Sequence, residues 1–111
     1  MITNRLYPLI LAEFNAGSLT NAYQLINGVG FSKPCNLIHF INNSDVSIMI
    51  SYDGSHDHDV IRKDSDYILN AQLNYLHYRE NVKFSKGTQI YVKYILGAGK
   101  RGSIRVVGYY Q

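Results

Sequence analysis

The sequence has no tryptophan, only two prolines and a single cysteine, Cys35. One cysteine excludes an intrachain disulfide and any metal site built on several thiolates. Its setting, "PCNLIHF", reads as a small core residue on a strand. The apolar runs fall far short of the roughly 18 residues that a membrane-spanning helix needs. The opening stretch, "MITNRLYPLILAEF", has only Arg5 as a basic lead and no small-residue cleavage site, so it does not read as a signal peptide. Catalytic motifs are missing too. No Gly-x-Ser-x-Gly elbow occurs. "GAGKRGS" has Tyr94 and Arg101 where a phosphate loop needs Gly and Ser or Thr, so it reads as a basic hairpin tip. Acidic residues are scarce outside one region: six of the eight (Asp45, Asp53, Asp57, Asp59, Asp64, Asp66) lie between residues 45 and 66.

What is present is aromatic and alternating. Ten tyrosines and four phenylalanines in 111 residues favour half-buried strands and interfaces, since tyrosine joins an apolar body to a polar tip. The dominant period is two. "DVSIMISY", "SDYILNAQL", "TQIYVKYIL" and "GSIRVVGYY" each alternate apolar with polar positions. They predict a core of Val46, Ile48, Ile50, Leu69, Leu73, Ile90, Val92, Ile104 and Val106. "CNLIHFI" is apolar on both faces, as in a central strand or one covered by a partner. Leu19–Ile26 is a further strand candidate, and "LNYLHYREN" carries at most one helical turn. Short turn signals separate the runs, and "INNSDV" is the strongest hairpin signal among them. The pattern predicts one all-β domain: an antiparallel β-sandwich, jelly-roll-like, with seven to eight short strands. Residues 19–111 form that domain, and residues 1–18 form an arm or an edge strand, where Pro8 is tolerated.

The densest chemistry sits in "SYDGSHDHDV", with two histidines and three aspartates in ten positions. In an extended chain His56 and His58 share one face while Asp57 and Asp59 take the other, so no three ligands converge as a metal site requires. An EF-hand counted from Asp53 has His58 at its sixth position and Asp64 at its twelfth, where glycine and glutamate belong. The stretch therefore reads as an Asp53-Gly54 turn and a solvated connection, with no metal and no cofactor. His39, on an apolar strand, reads as a satisfied core histidine. The tyrosines of "VVGYYQ" read as core or interface residues before they read as a stacking platform. Charge is segregated: seven bases (Arg79, Lys83, Lys86, Lys93, Lys100, Arg101, Arg105) follow residue 78 against one acid, Glu80. An acidic middle and a basic end can pair within the chain or across copies.

Taken in order, "LIHFINNSDVSIMISYDGSHDHDVIRKDSDYIL", "FSKGTQIYVK" and "GSIRVVGYY" resemble small all-β structural proteins of tailed bacteriophages over roughly residues 35 to 110. The shared features are a strand ending in Asn-x-Ser, a Ser-x-Asp-Gly turn, a Lys-Gly-Thr start to a strand and a closing Gly-Ser hairpin. The resemblance implies a non-enzymatic virion protein, made in the host cytoplasm and present in many copies. Head decoration or cement comes first, and a neck or tail position second. Implied partners are other virion proteins, the major capsid protein or neck and tail proteins, and further copies of the chain; membranes are excluded. Expected contact residues are Leu6, Leu9 and Phe14 of the arm, Asp53, His56, Asp57, His58 and Asp59 of the acidic loop, Lys100 and Arg101 of the basic tip, and Tyr109 and Tyr110. A carbohydrate- or calcium-dependent binding module is the alternative from another class. A nucleic-acid binder ranks lower, because two bases at one tip suit local contact better than a phosphate-tracking groove.

Overall fold

A computed structural model describes residues 6–9, 11–71, 84–95 and 101–111. Among them nine strands form two antiparallel sheets. The first sheet holds β1 (Tyr7–Pro8), β2 (Ala12–Asn15), β4 (Leu37–Ser44), β7 (Ser65–Asn70) and β9 (Gly102–Tyr110). The second holds β3 (Gln24–Leu25), β5 (Ile48–Ser51), β6 (Asp59–Ile61) and β8 (Tyr91–Tyr94). In sheet order these are β1–β9–β4–β7, with β2 also on β9, and β3–β8–β5–β6. The all-β sandwich expected from alternation is the fold.

The pairing is nested. β2 lies on β9, β3 on β8, β4 on β7 and β5 on β6. The chain is one long antiparallel ribbon, doubled back at the β5–β6 connection and bent across both sheets. Pairs β4–β9 and β5–β8 then join the ribbon to itself within each sheet. The β5–β6 connection returns to a neighbour in the same sheet, whereas the chain changes sheet between β2 and β3, β3 and β4, β4 and β5, and β6 and β7.

Alternation explains the core. β4 is central, and its burial alternates residue by residue up to Asn42. Ile38 and Phe40 meet Val106 and Ile104 of β9 and Ile48, Ile50 and Val92 of the second sheet in one apolar cluster. Val46 and Ile90, also expected inside, are buried there, whereas Leu69 is half-buried at the sheet edge. Leu73 and the segment "LNYLHYREN" lie outside the described residues. The opposite face of β4 is half-buried at Leu37, His39 and Ile41, consistent with its central place. Of the Leu19–Ile26 candidate, only Gln24–Leu25 pairs as a strand.

One expectation changes. "INNSDV" is not a hairpin, because β4 and β5 belong to different sheets. Its polar side chains hold a corner. Asn42 is fully buried, and its Nδ2 donates to the carbonyls of Val46 (2.9 Å), Ile61 (3.1 Å) and Arg62 (3.1 Å). Ile61 and Arg62 begin the crossing from β6 to β7, whose turn places Asp64 at φ +52°. One amide thus ties both arms of the ribbon at a single bend. Its Oδ1 accepts from the backbone N–H of Ser44 at 3.2 Å and faces the Ser44 hydroxyl. Gly102, at φ +90°, pairs beside this corner, and a Cβ there would lie 1.8 Å from the Asn43 carbonyl oxygen.

The N-terminal segment lies along the first sheet. Residues 7–8 and 12–15 pair with β9, and Leu9 N–H donates to Gly108 at 2.8 Å. Asn15 caps a short 3-10 turn (Ala16–Ser18) by accepting from Gly17 N–H at 2.8 Å. Leu9 and Phe14 pack against the core and Ala16 is buried in it. The Leu9 and Phe14 side chains are only partly buried there. Leu6 remains exposed.

Candidate functional site

The acidic stretch is the tip of the ribbon, joining β5 to β6. Its first residue sets its shape. Ser51 is buried, donates to Asp53 Oδ1 at 2.9 Å and accepts from Gly54 N–H at 2.9 Å. Asp53 Oδ1 in turn accepts from the N–H groups of Ser55 and His56, both at 2.8 Å. This is the local side-chain-to-backbone bonding that makes aspartate a turn residue. Gly54 takes φ +80°, a left-handed conformation in which a side chain is strained. Asp53 Oδ2 also lies 2.7 Å from His56 Nδ1. The expected Asp53-Gly54 turn is therefore present and closely bonded.

The remaining groups diverge. His58 Nδ1 accepts from Tyr52 N–H at 3.0 Å, which fixes that nitrogen without a proton and leaves Nε2 as the N–H of the neutral ring. Tyr52 packs its ring edge-on to Phe40 and donates its hydroxyl to Asp59 at 2.7 Å. Asp57 points elsewhere, to the Tyr23 hydroxyl and to Lys93 Nζ at 3.2 Å. Lys93 sits 4.5 Å from the centre of the Tyr23 ring. The His56 and His58 rings lie 6.4 Å apart, each against a different neighbour. Among the described residues no three His, Cys, Asp or Glu side chains are grouped to hold a metal.

The electrostatics fix protons in place. Backbone N–H groups of His56 and Ser55 hold Asp53 well below the ordinary carboxylate range, with the His56 ring adding to them. The Tyr23 hydroxyl, then Lys93, holds Asp57 down as well. Burial, then Asp57, pushes Tyr23 far up, and burial, then Asp59, does the same to Tyr52. Asp57 is thus held ionised, and both phenols are held protonated. A general acid or base needs a pKa near the working pH, and these shifts run away from it. The loop is chemically a set of fixed donor–acceptor pairs.

Other expected residues are dispersed. Lys100 lies outside the described residues; Arg101 is exposed, and its N–H reaches Asp45 Oδ1 at 3.4 Å. That contact is a backbone one; the Asp57–Lys93 pair is where acidic middle and basic end meet within one chain. Arg105 pairs instead with Glu13 of β2, at 3.3 Å. His39 is not a core histidine: it lies on the outer face of β4, 3.0 Å from Asp66 Oδ2. Cys35 is buried, and burial raises its thiol pKa, which disfavours the thiolate. Tyr109 and Tyr110 are half-buried at the end of β9. Tyr110 packs on Tyr7 with ring centres 5.6 Å apart, and Lys33 Nζ lies 5.1 Å from its ring. An open groove of about 370 Å³ runs between Tyr110, Leu9 and Phe31. Asn27 also lines it, but its amide is committed to Thr88 and Ile90 backbone.

The chain matches no family model. No curated protein matches it. Among solved structures it is similar to the Dit (gp 19.1) protein of SPP1, described as a paradigm of the hub adsorption apparatus in phages infecting Gram-positive hosts. That likeness has 11% identity and a TM-score of 0.41, over 98% of this chain and 50% of the other. The chain spans about half the length of that protein.

Proposed function

We propose that the chain is a non-enzymatic structural protein of a tailed-phage virion. Head decoration is the first placement and a neck or tail position the second. The observation that supports this reading is the ribbon tip: its carboxylates, phenols and histidines bond to one another and to backbone, which gives a closely bonded surface loop. The sequence resemblance supplies the virion setting. The nested strand pairing supports the jelly-roll form, a rigid body suited to repeated lateral contact. Docking would use the exposed tip residues His56 and His58, the exposed Leu6, and the basic Lys100 and Arg101, with neighbouring virion proteins and further copies as partners.

A sugar-binding module is the second reading, favoured by the open groove beside Tyr110 and Lys33. Purified particles separate the two. Mass spectrometry and particle imaging should find this chain in many ordered copies per virion; its absence from intact particles refutes the virion role. Saturable binding in a glycan screen, abolished by Tyr110→Ala, would favour the second reading.

A further inference from the structure

We propose that β7 is an interface strand, pairing antiparallel with β7 of a second copy so that the two first sheets run on as one. Among the described residues the sandwich has four edges. An edge strand exposes a row of unpaired N–H and C=O groups, and folded proteins blunt it with short length, proline, lysine or irregularity. Three edges here are blunted. β1 contains Pro8, and the adjoining β2 ends in a 3-10 turn. β3 has only two residues. β6 has three, begins at Asp59 and runs into Arg62 and Lys63.

β7 has none of these devices. It is six residues long, Ser65 to Asn70, and five of the six are exposed. Within it there is no proline, lysine, arginine or glycine, and no residue departs to positive φ. Among the described residues β4 is its neighbour on one side in the first sheet, and the sheet order ends there. Ile68 is 56% exposed and Tyr67 38%. Its one charge, Asp66, already faces His39.

The register selects a second copy as occupant. Residues directly opposite in an antiparallel pair share a face, so a two-fold axis must pass through a residue position, because a one-residue slip would turn core-side groups outward. An axis through Ile68 sets Ile68 opposite Ile68 of the second copy, Tyr67 opposite Leu69, and Asp66 opposite Asn70. Apolar groups then meet apolar groups, and each carboxylate meets an amide rather than another carboxylate. Tyr67 and Leu69 lie on the core side, where Tyr67 stacks on Phe40 and Leu69 packs against the core, so the pairing also extends the interior. An axis through Tyr67 would oppose Asp66 to Ile68, which is poorer. The pairing closes as a dimer, since a two-fold contact uses the same patch on both copies.

This inference does not depend on the virion reading, and absence of the chain from particles would leave it standing. The test uses the purified chain. Sedimentation velocity over a concentration series should show a monomer–dimer equilibrium, and Ile68→Lys, folded by circular dichroism, should raise the dimer Kd at least about tenfold, because it replaces an apolar pair with opposed like charges. Ile68→Cys should cross-link under mild oxidation, since directly opposed residues lie within disulfide reach. Asn70→Cys should not, because residue 70 faces residue 66 and its own counterpart is roughly 14 Å along the strand. A monomer at every concentration, a dimer that survives Ile68→Lys, or equal cross-linking at both positions would each overturn the proposal.

Discussion

Removing the Asn42 amide should loosen the bend that shapes the sandwich. Asn42 is fully buried, and its two amide protons serve three backbone carbonyls 2.9–3.1 Å away. Asn42→Ala takes the amide donor from the Ile61 and Arg62 carbonyls, while the Val46 carbonyl keeps the Ser44 hydroxyl at 2.9 Å. An unsatisfied buried group costs about 1–3 kcal/mol, so two protons' worth is about 2–6 kcal/mol before relaxation. Some relaxation and water entry bring the expected loss to about 2–5 kcal/mol, a large fraction of a small domain's stability. Urea denaturation should show the midpoint falling with an unchanged slope. Asn42→Asp sharpens the test because it keeps the shape and swaps a donor for a carboxylate facing carbonyl oxygens. Burial and those oxygens raise its folded pKa above the ordinary value of about 3.9. A raised folded pKa favours the fold below the unfolded pKa and loses that advantage as pH rises through the folded one. The deficit of Asn42→Asp against the parent should therefore be larger at pH 7 than at pH 4. An Asn42→Ala variant within about 0.5 kcal/mol of the parent, or a pH-independent Asn42→Asp deficit, would refute the corner argument.

Four further outcomes follow from the same structure. Ile48 has no exposed surface, so Ile48→Ala should cost about 2–5 kcal/mol in the same denaturation experiment. Asp53 should titrate well below 3.8 by carboxyl NMR; its contribution to loop order is full above that pH and fades only as pH falls toward the lowered pKa, so a midpoint at or above 3.8 contradicts the geometry. Elemental analysis and a chelator melt should find no stoichiometric metal at His56, Asp57, His58 or Asp59, and a metal whose removal lowers Tm would reverse that reading. Replacing Lys100 and Arg101 with Glu should weaken incorporation into particles most strongly at low salt, where exposed charge acts furthest; equal incorporation at low and physiological salt would exclude charge-guided docking.

Alternation carried the strands because a half-buried strand has no other way to order its residues. Ile48 and Ile50, Val92, and Ile104 with Val106 are all where period two places them. Strands too short to show a period were invisible. β3 has two residues, and β6 starts inside the polar run "SHDHDV". The N-terminal segment was ambiguous for a similar reason: Ala12 and Phe14 alternate with Glu13 over only four paired residues, and an edge or an arm fits that equally. The ribbon tip was legible where bonding is local, as in Ser51, Asp53 and Gly54. It was not legible where Tyr23 and Lys93 reach Asp57 from 34 and 36 residues away.

The misread turn shows where local signals stop. Asn, Ser and Asp make a turn favourable because their side chains bond nearby backbone, and that energy is the same whether the next strand lies beside the last or across the sandwich. What separates the cases is the polar group's burial. A hairpin turn leaves its amide in water, whereas Asn42 is enclosed and reaches the carbonyls of Ile61 and Arg62, 19 and 20 residues on. One asparagine can hold two crossings because the nested ribbon brings both chains to the bend together. The same nesting explains the exposed edge. A ribbon bent into two sheets must end each sheet on a strand with one free side, and β7 is the long one. Burial of a turn amide and exposure of an edge strand are thus two consequences of one winding, and neither is written in a window of neighbouring residues.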